Sequence, residues 1–205
     1  MISSEELKEN IFEYCDLYTD ELFDEMFNKF GGVKSNYSRL FFDPERFGDD
    51  DLEEMHKKYK LGWFYENAIT TKKPLRKINN KNIIRKYFDN YHKELNDKTK
   101  QKLTKYGKCT IIDCHSFSNQ RYWFQDKDIY FPDICIGFEK AHLDKEVIDI
   151  IKDEFKEYEI GINMPYAGSL VPTCQLPCYN YRMIKIDIEE IQSIYKEIIQ
   201  RKRND

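Results

Sequence analysis

The chain has no apolar run near the roughly 20 residues that a membrane-spanning helix needs, and its start, "MISSEELKEN", carries no secretory leader. No CxxC pair occurs among Cys15, Cys109, Cys114, Cys135, Cys174 and Cys178. Only Cys174 and Cys178 stand close enough for a metal half-site, and no second pair follows them. This excludes a paired-cysteine zinc knuckle and argues against a disulfide framework. Reduced thiols in a cytoplasmic protein without a membrane partner are the expectation. Internal repeats and Pro/Gly/Ser-rich linkers are also lacking, so residues 1–205 read as one domain, long enough to bury a core.

Positive charge is not in excess either. With 33 Lys and Arg against 37 Asp and Glu, the net charge is −4, and the pI is about 5.7. A nucleic-acid binder would concentrate basic residues, so no nucleic-acid partner is expected. The charges are interspersed, as in "DDDLEEMHKKYK", and read mostly as a solvated surface. What the chain does have is aromatic residues, 15 Tyr and 14 Phe. They argue for a packed interior despite a mean hydropathy of −0.77.

The pattern along the chain alternates helices with short apolar strands. "SSEELKENIFEYCDLYTDELFDEMFNKFGG" opens with Ser before Glu and closes on Gly31-Gly32, the start and stop signals of a helix. Its apolar stripe runs through Phe12, Phe23, Phe27 and Phe30, interrupted by Asp16, Thr19 and Asp20. "NYSRLFF" predicts a short strand, and "DDDLEEMHKKY" a polar helix or a loop with helical turns. "NNKNIIRKYFDNYHKELNDKTKQKLTKYG" predicts a long amphipathic helix ending at Gly107. "KCTIIDC", "DICIGF" and "EIGINMP" read as buried strands, "LDKEVIDIIKDEFKEY" and "DIEEIQSIYKEIIQRKR" as helices. The fold class is therefore α/β, a mostly parallel central sheet flanked by helices. Sites in such sheets gather at the carboxyl ends of strands, where His115 would stand.

Several residues could carry chemistry, each with a plainer alternative. Asp16 falls on the expected core stripe, where a carboxylate is costly unless paired or bound to metal. It could instead reach solvent at the stripe's edge. His115 follows an apolar run, and Asp113 two residues earlier suits the carboxylate partner of a metal-bound imidazole, or else a turn cap. Arg39, Asp43 and Arg46 cluster in "SRLFFDPERF". Arg can grip a carboxylate with two bonds, and a local Asp–Arg ion pair is the alternative. His92 lies beside Phe88, Tyr91 and Leu95 on a helix face, where a semi-buried structural His is common. "NMPYAGSLVP", with Asn163 and Gly168, offers backbone amides to a ligand or forms a plain turn.

Taken in order, "CDLYTDELF", "YSRLFFDPERF", "YHKEL", "IIDCHSF", "PDICIG" and "NMPYAGSLVPT" resemble the N-formylglutamate amidohydrolase family, hydrolases related in fold to the zinc carboxypeptidases. The motifs span about residues 14 to 173. The resemblance implies a zinc (Zn2+) ion that acidifies water and polarises an amide or formamide carbonyl, beside a substrate carboxylate. It implies Asp16 and His115 as metal ligands and Arg46 as the residue that holds the substrate carboxylate. Arg39, His92, Asn163 and Gly168 fall near the substrate, a small acidic N-acyl amino acid.

Three positions depart from the family pattern. Glu45 replaces the Asn that precedes the substrate-binding Arg. No His precedes Asp16, where the family has its first zinc ligand in a Pro-His-Ser/Ala-Gly stretch. The expectation is a chain that starts at an internal Met of a longer reading frame, or a degenerate, truncated member lacking strands of the fold. The general-base Glu is also missing: Lys185 is its nearest match in "RMIKIDIEEI", unless "CQLPCYNYRM" bridges a deletion of that strand. A catalytically inactive relative that binds acidic small molecules or a partner is the alternative function.

Overall fold

The computed structural model describes residues 1–76, 81–138 and 145–168. They form helices α1 (Ser4–Glu13), α2 (Thr19–Leu22), α3 (Asp24–Phe30), α4 (Glu54–Tyr59), α5 (Lys81–Tyr106) and α6 (Lys145–Glu154), with strands β1 (Ile134–Ile136) and β2 (Ile160–Ile162). No helix among them is long and apolar enough to cross a membrane. The chain divides into two compact units. Among the described residues, one holds 1–16, 33–76, 81–97 and 117–127, the other 17–32, 98–116, 128–138 and 145–168.

The first unit is built on aromatic residues. Leu61, Trp63, Phe64, Tyr65, Ala68 and Ile69 are all buried, so "LGWFYENAI" is its central segment. One cluster gathers Leu40, Leu61, Tyr65, Ile69, Leu75 and Tyr122, and a second gathers Phe42, Trp63, Phe64, Ile84 and Phe88. Phe42, Phe88 and Trp63 meet at tilted or edge-on angles with centroids 5.3–6.4 Å apart, the geometry their ring quadrupoles favour. Residues Ile84 and Phe88 show that α5 turns its apolar stripe inward, as its periodicity predicts.

Helix α1 starts with a capping box. The Ser3 hydroxyl accepts from Glu6 N–H, and the Glu6 carboxylate accepts from Ser3 N–H. It is anchored by a polar residue. Asn10, fully buried, donates to Glu6 O and Thr70 Oγ1 and accepts from the N–H groups of Ile69 and Thr70. All its hydrogen-bonding capacity is used, which is why burial is tolerated.

In the second unit, β1 and β2 pair in parallel, Ile134 with Ile160 and Ile136 with Ile162, and α6 lies between them in sequence. This is the βαβ pattern expected for an α/β fold. Lys102 donates to Phe30 O at 3.2 Å, and Lys98 donates to Gly32 O. The lysines of α5 thus satisfy carbonyls at and just beyond the end of α3.

Four expectations change. The helix expected over the first 30 residues is broken: α1 ends at Glu13, and Tyr18 adopts a left-handed conformation with φ 61° before α2. Asp16 therefore sits in the break and not on a helix face. Phe12 is 61 % exposed and Phe27 40 %, so the stripe drawn through them is not a core face. "NYSRLFF" turns where a strand was expected, with Phe41 N–H donating to Ser38 O and Leu40 N–H to the Ser38 hydroxyl. Leu40 and Phe42 are still buried alternately, which is the period-two signal that suggests a strand. "KCTIIDC" has no ladder partner among the described residues, so the described sheet has two strands. The closing helix expected over "DIEEIQSIYKEIIQRKR" lies outside the described residues, as do Lys185, Cys174 and Cys178.

Candidate functional site

The loop after Ser38 brings an ionic network together in the first unit. Pro44 follows Asp43, and the Glu45 N–H donates to Asp43 Oδ1 at 3.0 Å, an Asx turn that sets the direction of the next two residues. Asp43 is fully buried. Its Oδ2 accepts the hydroxyl of the fully buried Tyr65 at 2.5 Å and lies 3.4 Å from Arg46 Nε. Burial and the adjacent Asp43 charge push the Tyr65 phenol well above its ordinary range, so it stays a proton donor.

Arg46 is therefore in the local ion pair that its spacing from Asp43 allows, with Glu53 Oε1 4.0 Å from its Nη1. Its buried Nε has no hydrogen-bond partner. Desolvation opposes its charge, but Tyr65, Asp43 and Glu53 outweigh that and raise its pKa. Glu53 was expected on a solvated surface with the rest of "DDDLEEMHKKYK". Instead it is buried, accepting from Phe47 N–H at 3.1 Å and Met55 N–H at 3.0 Å. His56 of the same stretch is also buried, because Gly62 leaves space only for a hydrogen at its Cβ position, 3.0 Å from the His56 ring.

Arg39 ties Asp16 to Glu45. Its Nη2 donates to Asp16 Oδ2 at 2.9 Å and to Glu45 Oε1 at 3.1 Å. The guanidinium also stands over the Tyr14 ring, 5.3 Å from its centroid. Burial works against its charge, but Asp43, Glu45 and Asp16 hold its pKa well above the usual value. A carboxylate oxygen of Asp16 and one of Glu45 lie within 4.8 Å of each other. His92 packs on Phe88 with centroids 4.3 Å apart and hydrogen-bonds the Pro44 carbonyl. Burial lowers its pKa. It supports the Asp43–Arg46 loop from behind.

In the second unit His115 Nε2 lies 3.2 Å from Asp113 Oδ1. One ring nitrogen is thus oriented by a carboxylate, the arrangement that metal-bound imidazoles use. The neighbouring Ser116 hydroxyl donates to Leu17 O at 2.7 Å. Between them burial, first, and the Asp113 charge push the Cys114 thiol up to about 12.

Asn163 and Gly168 close a loop at the carboxyl end of β2. Asn163 has φ 51° and Gly168 φ 79°, and the Met164–Pro165 peptide is cis. Asn163 Oδ1 accepts from Phe138 N–H at 2.8 Å and from Gly168 N–H at 3.4 Å. Asn163 N–H donates to Ile136 O at 2.9 Å. The loop lies close on the sheet because Gly161 and Gly137 lack side chains. A Cβ there would stand 2.2 Å from Met164 O and 2.5 Å from Gly168 O, respectively. The loop occupies the sheet edge where α/β proteins bind ligands.

A carboxylate such as Asp16 in the first unit and an imidazole such as His115 in the second are each donor types that zinc accepts. Sequence reasoning singled out Asp16, His115, Arg39, Arg46, His92, Asn163 and Gly168. It did not find Glu53 or Tyr65, whose roles depend on burial that a charged stretch and an apolar run do not announce. Comparison with known proteins adds one match: the family model described as N-formylglutamate amidohydrolase fits residues 2–195. No curated protein and no solved structure matches.

Proposed function

This chain belongs to the N-formylglutamate amidohydrolase family, and on that premise we propose that it is a metal-dependent amidohydrolase acting on N-formyl or N-acyl amino acids such as N-formylglutamate. The observation that carries the proposal is the family match over residues 2–195. Asp16 and His115 would hold zinc. The 3.2 Å pairing of His115 with Asp113 supports this for the imidazole ligand. Bound zinc supplies Lewis acidity, polarising an amide carbonyl and making water easier to deprotonate.

The chain's own residues position the substrate. Arg46, fixed on Asp43 and Glu53, would steer the carboxylate of a small acidic N-acyl amino acid. Arg39 holds Asp16 in place through its Nη2. His92 fixes the Pro44 carbonyl, and so keeps Arg46 in register. The Asn163–Gly168 loop would flank the substrate with backbone amides. Cys109, Cys114 and Cys135 are free thiols, which suits the cytoplasm as its compartment.

The experiment is a substrate panel. The zinc-loaded chain is assayed with N-formyl and N-acetyl derivatives of Glu, Asp, Gln and Leu. The proposal expects turnover, with acidic derivatives preferred, and an Arg46→Lys variant with KM raised about tenfold or more, since Lys cannot reproduce the forked geometry. Equal rates across acidic and apolar derivatives would remove Arg46 from substrate recognition. Tight binding of the acidic derivatives without turnover would favour the inactive, ligand-binding relative.

A further inference from the structure

We propose that Arg76 anchors a binding site for a small oxyanion, a carboxylate or phosphate group, beside Trp63 and Phe64 in the first unit. The residues that build it are not those given to metal or substrate above, and binding there needs neither metal nor turnover.

The sequence concentrates positive charge at this place. From Asn67 to Phe88 the chain has Lys or Arg at seven positions, 72, 73, 76, 77, 81, 85 and 86, and no Asp or Glu, although its net charge is −4. A surface rich in one sign raises the local concentration of counter-ions. The backbone then aims part of that charge. Residues 73–75 run back along 66–68, with Ala68 N–H donating to Lys73 O at 2.9 Å and Leu75 N–H to Glu66 O at 2.8 Å. Leu75 packs into the cluster that holds Leu61 and Tyr65. Successive side chains of an extended segment point to opposite sides. Arg76 accordingly meets Phe64, its Cζ 4.5 Å from the ring centroid. Lys81 Nζ stands 5.6 Å from the centroid of the adjoining Trp63 ring, and Arg85 Cζ 5.3 Å from it.

These three cations differ in their partners. Lys81 is paired with Asp50, and Arg85 with Asp89 at 2.7 Å. Arg76 makes no ion pair among the described residues, and its hydrogen bond there runs from Nη1 to Phe41 O at 3.2 Å. A guanidinium carries five N–H donors in a planar fork. No Arg76 nitrogen is among the buried polar atoms that lack a partner, so the rest of the fork faces water. The Phe64 ring attracts the cation without cancelling its charge.

Arg39 and Arg46 of the same unit set the contrast. Burial opposes their charge too, but neighbouring carboxylates outweigh it and raise both pKa values. Burial acts alone on Arg76 and lowers it to about 10. A half-buried charge without a counter-ion is costly. An oxyanion seated against Nε and Nη2 offsets that cost through paired, charge-assisted hydrogen bonds.

The test uses the metal-free full chain at constant ionic strength, with sodium chloride as the reference salt. Inorganic phosphate and succinate are titrated, and the readouts are the thermal midpoint and the Arg76 Nε–H signal in nitrogen-15 NMR spectra. With at least one of them the wild type should show a saturable rise in midpoint and a matching shift of that signal. The tighter anion names the group that the site takes. Arg76→Gln, measured against its own midpoint in chloride, should weaken the anion's effect about tenfold or more. Lys73→Gln removes the same charge from an exposed pair with Glu6 and should leave the effect intact. Arg76→Lys keeps the charge without the fork, should fall between wild type and Arg76→Gln, and serves if the Gln variant folds poorly. A midpoint that neither anion raises beyond chloride, or a rise that persists unchanged in the Arg76 variants, would overturn the site.

Discussion

Tyr65 donates its hydroxyl to Asp43 at 2.5 Å with both side chains wholly buried. That bond anchors the loop carrying Glu45 and Arg46 to the centre of the first unit, so these candidate residues are held by the core and not only by one another. Tyr65→Phe removes the donor and leaves a buried carboxylate oxygen relying on Arg46. The expected loss of stability is about 1–3 kcal/mol, read from urea denaturation midpoints. A change within experimental scatter would mean that Arg46 alone satisfies Asp43.

Asn10 joins α1 to residues 69 and 70 through hydrogen bonds on both its amide oxygen and nitrogen. Replacing it with Ala leaves the Ile69 and Thr70 N–H groups without that acceptor, and leaves a small void. The expected cost is about 1–3 kcal/mol. Hydrogen exchange provides a local readout: the Ile69 amide, well protected in the wild type, should exchange much faster in the variant.

The lowered pKa of His92 gives stability a pH dependence. Desolvation is the main cause, opposed by the Pro44 carbonyl and Asp89, while Arg85 adds to the lowering. The folded pKa lies below the unfolded value near 6.5, so the unfolded chain binds the extra proton first. This contribution is complete above the unfolded pKa and declines as pH falls from there to the folded pKa, then levels off. His92→Asn should flatten the slope of stability against pH in that window. An unchanged slope would contradict the assignment.

Cys114 should be a slow thiol. With its pKa pushed to about 12, chiefly by burial, very little thiolate exists at pH 8. Native Cys114 should react with iodoacetamide far more slowly than in the urea-unfolded chain, as followed by peptide mass mapping. Comparable rates in the two states would show that the segment around His115 opens readily.

Gly161 has no room for a methyl group, since its Cβ would meet Met164 O at 2.2 Å. Gly161→Ala should therefore lower the thermal midpoint and displace the Asn163–Gly168 loop. Gly107→Ala is a useful comparison, because no atom lies within 4 Å of the Cβ it would add and only its φ of 69° is strained. The Gly161 variant should be the less stable of the two.

The sequence was most informative where local signals agree with tertiary structure. The periodicity of α5 correctly predicted Ile84 and Phe88 as inward-facing. The apolar runs "ICI" and "IGI" became the parallel pair β1 and β2. Local signals misled where burial was not local. A stripe drawn through Phe12 and Phe27 ran across the helix break between α1 and α2, where Tyr18 is left-handed, which nothing in the pattern announces. The alternation in "NYSRLFF" is real, but Ser38 turns the backbone there, so the alternating residues pack without a ladder. Glu53 looked like one of many surface acids, yet two backbone N–H groups and Arg46 hold it inside. The candidate site residues rest on motif order, because Asp16, Arg46 and His115 are individually unremarkable. Their partners, Arg39 for Asp16 and Asp113 for His115, were legible only as neighbours in sequence or as nearby charges. The distances show that they are in contact.

The most direct test of the metal-dependent reading is formate release from N-formyl-L-glutamate by the purified chain, with zinc bound, after chelation, and in His115→Ala. The account predicts release by the zinc-loaded wild type, loss of release after chelation with recovery on adding zinc back, and none in the variant. Release that persists undiminished after chelation and in His115→Ala, or no release from a chain carrying stoichiometric zinc, would contradict it.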